Sequence, residues 1–216
     1  MNNESIVYVI DDDLAMVESL SWVIESVGLN VRTYTRAQDF LNEYDPLTPG
    51  CLLLDVRMPG MSGPELQLKL NELEEQGLVV PPIIFISGHG DVPLAVRVMK
   101  AGAIDFLTKP FNDQVLLESI NKAIRGDKAN RDKQQESAEA HAKFALLTHR
   151  EAQVLQRIVA GKANKVISAE LKISLKTVEA HRASLMKKMG VKSVPELVKL
   201  VLANHVEKET FEETSY

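Results

Sequence analysis

The sequence predicts an α/β fold with a doubly wound, five-stranded parallel sheet, followed by a small all-α unit of four helices. Over residues 1–125, five short apolar runs alternate with amphipathic stretches, which is typical of strands covered on both faces by helices. Residues 148–204 contain helical patterns only. The charge also changes sign, with 9 basic and 18 acidic residues through position 125 but 11 basic and 4 acidic over 148–203. This difference indicates two modules with different partners.

The strands and helices of the first module follow one another in a regular order. The predicted strands are Ile6–Ile10, Val31–Tyr34, Cys51–Leu54, Ile83–Ile86 and Ile104–Leu107. The predicted helices are Leu14–Val27, Ala37–Tyr44, Pro64–Glu75, Val92–Ala101 and Asp113–Ile124. In such a sheet, ligands bind at the carboxyl ends of the strands.

The last module is predicted to consist of the helices Arg150–Ala160, Lys165–Leu171, Lys176–Met189 and Val194–Ala203. Thr148 and Glu151 have the spacing of a capping box, and Ser174 is expected to cap the third helix. Residues 126–147 are polar and predict a solvated linker that is helical at its start. A coiled coil stays an alternative there, although no apolar heptad is sustained. Residues 205–216 form an acidic tail.

The composition excludes several classes of protein. The 45% hydrophobic and 25% charged residues are those of a globular chain, which rules out wholesale disorder. A single cysteine allows neither an intramolecular disulfide nor a cysteine-rich zinc site. No apolar run approaches the roughly 18 residues of a membrane span, and the amino end lacks a signal-peptide pattern. We therefore expect a cytoplasmic protein without a membrane partner.

Acidic residues lie where two predicted strands end. Asp11, Asp12 and Asp13 follow the first strand, and Asp55 follows the third. Because these strands are neighbours in a doubly wound sheet of this kind, Asp11, Asp12 and Asp55 are expected to lie together. Close carboxylates repel one another unless a cation is present, and oxygen ligands suit Mg²⁺. An aspartate after a strand is also a common helix N-cap, which is the role expected of Asp13.

The residues around this pocket resemble a known family. Ser87 and Lys109 end the fourth and fifth strands at the same edge of the sheet. Asp55–Leu66, Ser87–Val96 and Lys100–Phe111 resemble the receivers of bacterial response regulators, and those of the FixJ group in particular. The resemblance covers residues 5–125.

This resemblance implies a role for each residue of the pocket. Asp55 would be the phosphoacceptor for a sensor histidine kinase, and Mg²⁺ or Mn²⁺ would be held by Asp11, Asp12, Asp55 and the Arg57 backbone carbonyl. Ser87 would bind the phosphoryl group, Lys109 would pair with it, and Phe106 would be the aromatic switch. Arg57 and His89, two residues beyond Asp55 and Ser87, are predicted to tune the lifetime of the phosphoryl group.

An enzymatic alternative is disfavoured by one residue. Phosphatases of the haloacid-dehalogenase type also form an aspartyl phosphate, but they need a second aspartate two residues later as acid and base. That position is Arg57, which cannot accept a proton. We therefore expect no enzyme activity beyond self-catalysed phosphorylation and dephosphorylation.

The basic module resembles a second family. The stretches Thr148–Leu155, Gly161–Lys165, Ile173–Arg182 and Met186–Val191 are similar to the LuxR-type helix-turn-helix. One departure is Ser168, where the family more often has alanine, so that a hydroxyl must find a partner. Helical spacing predicts that Val178, His181, Leu185 and Met189 face the core.

The opposite face of that helix is predicted to meet DNA. Ala180 and Ala183 would let the backbone approach the major groove, and Glu179 would accept a hydrogen bond from a cytosine amino group. The predicted phosphate contacts are Lys165, Lys176, Thr177, Arg182 and Lys187. A basic helix face is by itself often no more than solvated, but the turn spacing and the excess of positive charge favour DNA here.

Together the two modules predict a transcriptional response regulator of a two-component system. The expected domains are the receiver at 1–125, the linker at 126–147, the DNA-binding domain at 148–204 and the tail at 205–216. Phosphorylation of Asp55 is expected to promote formation of a homodimer and binding to a two-fold site on double-stranded DNA. An interaction module that is never phosphorylated and binds DNA constitutively stays an alternative.

Overall fold

The computed structural model describes residues 5–88 and 92–204. The chain forms two compact units, Met1–Asp132 and Lys133–Tyr216. The strands of the first unit are β1 (Ile6–Ile10), β2 (Asn30–Tyr34), β3 (Gly50–Asp55), β4 (Ile83–Ser87) and β5 (Asp105–Thr108). Its helices are α1 (Leu14–Ser26), α2 (Ala37–Glu43), α3 (Gly63–Glu75), α4 (Val92–Lys100) and the start of α5 (Asp113–Ala145).

The five strands form one parallel sheet in the order β2-β1-β3-β4-β5. The predicted fold class is confirmed, and β1 and β3 are the expected neighbours. Most element bounds lie within one residue of their predicted positions, and the exception is α5. This helix continues through Ala145, well beyond the predicted end at Ile124, across a stretch in which alanine, glutamine, glutamate and lysine favour helix.

Both faces of the sheet are covered, as the apolar strands require. Alternate side chains of β1 and β3 point to opposite faces, because successive residues of a strand alternate. Tyr8 and Leu52 belong to the core cluster that contains side chains of α2, α3 and α4, whereas Val9 and Leu53 belong to the cluster that contains side chains of α1 and α5. The sheet is therefore buried between two apolar layers of helices.

The second unit has an all-helical core of its own. It contains α6 (His149–Val159), α7 (Asn164–Leu171), α8 (Leu175–Met189) and α9 (Val194–Ala203). Ala140 and Phe144, from the last turns of α5, are buried in the same cluster. The predicted capping box of Thr148 and Glu151 is present, and Ser174 caps α8 by accepting a hydrogen bond from the Thr177 N–H.

Among the residues that the structure describes, no helix is long and apolar enough to cross a membrane. The predicted acidic tail at 205–216 lies outside the described residues.

Candidate functional site

The strand register brings the predicted site residues to one edge of the sheet. Ile10 pairs with Leu54, so that Asp11 and Asp55 are the next residues of two neighbouring strands. On the other side of β3, Ser87 is the last residue of β4 and pairs with Thr108. Lys109 follows Thr108 directly, and its N–H donates to the Ser87 carbonyl over 2.7 Å.

The Lys109 ammonium joins two of the carboxylates. Its Nζ donates to Asp11 Oδ2 over 2.6 Å and to Asp55 Oδ1 over 2.8 Å. The side chain of Asp11 is 2% exposed and that of Asp55 is 10% exposed. A buried carboxylate needs a partner of this kind, since an unpaired buried charge is strongly disfavoured.

The remaining carboxylate oxygens are held by backbone groups. The Arg57 N–H donates to Asp55 Oδ2 over 2.7 Å, and the Asp13 N–H donates to Asp11 Oδ1 over 3.0 Å. Asp13 itself accepts from the Ala15 N–H, which confirms the prediction that it is the N-cap of α1. These bonds fix the orientation of both carboxyl groups at the edge of the sheet.

The environment shifts two pKa values at the site. Burial raises the pKa of the Asp55 carboxyl, and the Asp11 charge acts in the same direction against the hydrogen bonds from Lys109 and Arg57. Burial would lower the pKa of the Lys109 ammonium, but the hydrogen bonds and charges of Asp11 and Asp55 outweigh it and raise that pKa. Lys109 is therefore held in its charged form beside the two carboxylates.

Three carboxylates at this edge lie close enough together to bind one metal ion. One oxygen from each of Asp11, Asp12 and Asp55 lies within 4.8 Å of the others. Asp11 and Asp55 are buried and Asp12 is exposed, so that the group opens to solvent on one side. A set of oxygen donors that keeps access to water suits Mg²⁺, which retains several of its waters. The cluster could therefore bind such a cation.

The two predicted switch residues lie on the neighbouring strands β4 and β5. Ser87 is 3% exposed at the end of β4. Phe106, in the middle of β5, is half-buried, and its ring lies 6.5 Å from that of Phe85. Of the two residues predicted to tune the phosphoryl lifetime, Arg57 is exposed next to the site, and His89 lies outside the described residues.

Gly63 is a residue at the site that the sequence did not single out. Its N–H donates to the Val56 carbonyl over 3.1 Å. A Cβ at this position would lie 2.3 Å from the Asp55 carbonyl oxygen and 2.9 Å from the Phe85 ring. Only glycine allows the start of α3 to approach the backbone of Asp55 so closely.

In the second unit, α8 presents most of the predicted DNA contacts to solvent. Val178, Leu185 and Met189 are buried, whereas His181 is half-buried. Of the predicted contacts, Thr177 and Arg182 are half-buried, and the exposed ones are Lys165, Lys176, Glu179, Ala180, Ala183 and Lys187. α8 therefore has one apolar face and one exposed face along its whole length.

The turn before α8 explains the unusual Ser168. The hydroxyl of this residue donates to the Ile173 carbonyl over 2.6 Å. Lys172 ends α7 in the left-handed conformation, with a φ of 55°. The Ser168 hydroxyl therefore forms its hydrogen bond within the turn that joins α7 to α8.

Two buried acidic residues have more partners than the sequence indicated. Glu151, predicted only as part of a capping box, also accepts hydrogen bonds from Ser184 and Lys188. Asp127, predicted to lie in a solvated linker, is 5% exposed and accepts from the Gly50 N–H over 2.9 Å. A charged residue this deeply buried is rare unless it is paired.

Comparisons with known proteins agree with both sites. Residues 7–121 match the family of response regulator receiver domains, and residues 145–201 match the bacterial regulatory proteins of the luxR family. The chain is 47% identical over 199 residues to the response regulator protein TmoT of Ectopseudomonas mendocina, covering 92% of this chain and 89% of TmoT. It is also 47% identical over 197 residues to the transcriptional regulatory protein FixJ of Azorhizobium caulinodans, covering 91% of each.

A solved structure extends the similarity to the fold. The response regulator StyR superposes with a TM-score of 0.85 at 43% identity, over 92% of this chain and 98% of the StyR chain. The receiver implies a sensor kinase as partner, and the luxR-family helices imply DNA binding. The chain therefore belongs to the response regulators, as a transcriptional regulator of a two-component system that joins a receiver to a LuxR-type DNA-binding domain.

Proposed function

We propose that a sensor histidine kinase phosphorylates Asp55, and that this modification promotes dimerisation and DNA binding. The observation that carries the proposal is the bridge from the Lys109 ammonium to both Asp11 and Asp55. It places the Lys109 ammonium against the Asp55 carboxyl group, where this cation would pair with the incoming phosphoryl group. This pairing is the electrostatic arrangement that phosphoryl transfer requires.

The chemistry begins with Asp55. One of its oxygens attacks the phosphorus of a phosphohistidine, so that a new O–P bond forms while the N–P bond to the kinase histidine breaks. The N–H of Arg57 holds the Asp55 carboxyl in place through Oδ2. Lys109 then transfers its hydrogen bond from Asp55 to the phosphoryl oxygens and offsets part of their charge, which is about −1.5 to −2 at neutral pH.

A divalent cation is part of the proposal. Asp11, Asp12, Asp55 and the Arg57 backbone carbonyl would hold Mg²⁺ or Mn²⁺, and the closeness of the three carboxylates supports this assignment. When bound, the cation supplies Lewis-acid stabilisation of the charge on the phosphoryl oxygens.

Ser87 and Phe106 would convert the modification into a change of shape. The Ser87 hydroxyl would reorient to donate to the phosphoryl group. Phe106, half-buried in β5 next to the Phe85 ring, would rotate into the space that Ser87 leaves. The exposed surface of α4 and β5 then differs between the two states, which requires a coupling of only about 1–3 kcal/mol.

The lifetime of the phosphoryl group would depend on Arg57 and His89. Arg57, exposed next to the carboxylates, and His89 would control the approach of the hydrolytic water. We also propose that the chain has no enzyme activity other than its own phosphorylation and dephosphorylation.

DNA binding would use the exposed face of α8 in a homodimer. Glu179, Ala180 and Ala183 would meet base edges in the major groove. The proposed phosphate contacts are Lys165, Lys176, Thr177, Arg182 and Lys187. Two copies on a two-fold site would gain affinity, because the second half-site is bound at a high effective concentration.

Beryllofluoride with Mg²⁺ tests this function, because beryllofluoride mimics the phosphoryl group on Asp55. We expect it to increase the dimer fraction in sedimentation and to tighten binding to a duplex enriched by the protein from a random pool. Asp55→Asn should abolish both responses without unfolding the receiver. Equal dimerisation and equal DNA affinity with and without beryllofluoride would favour the constitutive alternative.

A further inference from the structure

Glu151 is a buried carboxylate that connects α6 to α8. Its side chain is 5% exposed and accepts four hydrogen bonds. The Thr148 N–H and hydroxyl donate to Oε2 over 2.8 and 2.9 Å, and the Lys188 ammonium donates to the same oxygen over 2.7 Å. The Ser184 hydroxyl donates to Oε1 over 2.6 Å. The two oxygens thus join the start of α6 to the middle and end of α8.

The two donors from α8 lie one turn apart on one flank of the helix. Residues four positions apart in a helix are neighbours on its surface, so Ser184 and Lys188 present adjacent groups to one carboxylate. Lys188 also donates to the Leu146 carbonyl over 2.9 Å, which ties the same flank to the chain just before α6. Lys188 is half-buried, whereas Ser184 is exposed and lies one turn after Ala180, at the border of the exposed face that Lys176, Ala180 and Ala183 form.

The apolar core determines which face of α8 is buried, and directional bonds define the rotation of the helix more finely. Val178, Leu185 and Met189 bury its inner face, but the hydrophobic effect is not directional. Charge-assisted hydrogen bonds are directional as well as strong. A rotation of roughly 15° moves an atom about 6 Å from the helix axis by about 1.5 Å, which exceeds the tolerance of a hydrogen bond to a base.

We propose that Glu151 is a positioning residue for DNA recognition, which sets the rotation of α8 by holding Ser184 and Lys188. This inference rests on the proposed function, in which the exposed face of α8 reads the major groove. Glu151 touches no base or phosphate itself. It acts through two side chains of the recognition helix, so its loss weakens the discrimination between sequences more than it weakens binding to DNA in general.

The discrimination between sequences can be measured separately from general affinity. Non-specific binding depends on phosphate charge and not on the orientation of base-reading side chains. The probes are a duplex that the wild-type full-length protein enriches from a random pool and a duplex of scrambled sequence. Both affinities are measured with Mg²⁺ and beryllofluoride present, at a temperature where far-UV circular dichroism shows each variant to be folded.

Two variants and a matched control isolate the role of Glu151. Glu151→Gln removes the charge that holds Lys188, and Ser184→Ala removes one hydrogen bond without any change of charge. Glu170→Gln makes the same substitution in the same unit, but Glu170 lies on α7 and its partners are Arg157, over 2.9 Å, and Lys162, both outside α8. Glu151→Gln and Glu170→Gln therefore change the net charge equally.

We expect Glu151→Gln to lower the ratio of specific to non-specific affinity about three- to tenfold, and Ser184→Ala about two- to threefold, as partial loss of such hydrogen bonds implies. Glu170→Gln should leave the ratio unchanged. If Glu151→Gln does not fold, the affinity ratio of Ser184→Ala alone tests the inference. If Glu151→Gln and Ser184→Ala both keep the wild-type ratio of specific to non-specific affinity, the inference is overturned, even if their melting temperatures are lower. If only Ser184→Ala folds, a wild-type ratio in that variant overturns it.

A third variant separates this inference from the function on which it rests. Ala183→Leu places a bulky side chain on the exposed face of α8 and should remove specific binding. If Ala183→Leu binds like the wild type, α8 does not read DNA and both ideas fail. If Ala183→Leu loses specific binding while Glu151→Gln and Ser184→Ala retain it, only the positioning role is wrong.

Discussion

Replacing Asp127 with asparagine should destabilise the receiver unit and leave the DNA-binding unit unchanged. Asp127 lies in α5, where its carboxylate accepts from the Gly50 N–H over 2.9 Å and from Arg131 Nε over 2.7 Å. The side chains of Asp127 and Arg131 are 2% and 14% exposed. Arg131 also donates to the Pro46 carbonyl and contacts the Tyr44 hydroxyl. This part of α5 is therefore anchored to the start of β3.

The expected loss of stability depends on which hydrogen bonds asparagine can still form at position 127. Removing one partner of a buried ion pair costs about 3–5 kcal/mol. The amide oxygen of asparagine can still accept from Gly50, and Arg131 keeps Pro46 and Tyr44 as partners, so that a smaller loss is expected. We expect Asp127→Asn to lower the free energy of unfolding of the first unit by about 2–3 kcal/mol.

Hydrogen exchange followed by mass spectrometry measures this loss in each unit separately. Amides of β1 and β3 that exchange only through global unfolding should exchange roughly 30- to 150-fold faster in Asp127→Asn. Amides of α6 and α8 should be unaffected. Asp132→Asn is the matched control, since Asp132 is exposed on the same helix. If Asp127→Asn and Asp132→Asn exchange alike, Asp127 does not anchor α5 and the reasoning is refuted.

Three further predictions concern stability. Hydrogen bonds from Lys188, Ser184 and Thr148 overcome the effect of burial and lower the pKa of Glu151 to about 2. The contribution of the ionised Glu151 to the free energy of unfolding of the second unit is at most about 3 kcal/mol. It is therefore complete above pH about 4.5 and is lost as the pH falls towards 2. Urea unfolding of the second unit should show this slope in the wild type, and an equal slope in Glu151→Gln would contradict it. Gly63→Ala should lower the thermal midpoint of the receiver, because its Cβ would clash with the Asp55 carbonyl; an unchanged midpoint in calorimetry would show that the loop can shift. Ser168→Ala should destabilise the second unit by about 1 kcal/mol through loss of its bond to Ile173, and equal urea midpoints would show that this bond adds nothing.

The carboxylate site could be predicted from the sequence because its residues are local signals on regular elements. Asp11 and Asp55 each come at the end of an apolar run, and the order of a doubly wound sheet makes their strands neighbours. The position of Lys109 follows in the same way from the end of the fifth strand. Side chains at the carboxyl ends of parallel strands share one edge of the sheet, so the strand order alone predicts this grouping and the packing of individual side chains is not needed.

The interactions that were not predicted depend on long-range packing. Asp127 and Arg131 are four residues apart in a polar stretch, which in sequence resembles an ordinary solvated helix pair. Their burial comes from Gly50 and Pro46, more than 75 residues earlier in the chain. The capping role of Glu151 could be predicted because Thr148 is only three residues away. Its hydrogen bonds to Ser184 and Lys188 could not, because these residues are more than 30 positions later in the chain.

Transfer of a phosphoryl group to Asp55 is the most direct test of the proposed function. The full-length protein is incubated with Mg²⁺ and a small-molecule phosphodonor such as acetyl phosphate, and the modified peptide is identified by mass spectrometry. We expect one acid-stable but base-labile phosphoryl group on the peptide that contains Asp55, none in Asp55→Asn, and none when Mg²⁺ is chelated. The proposal would be contradicted if Asp55→Asn were phosphorylated to the same extent as the wild type, or if the wild type carried the phosphoryl group on another residue.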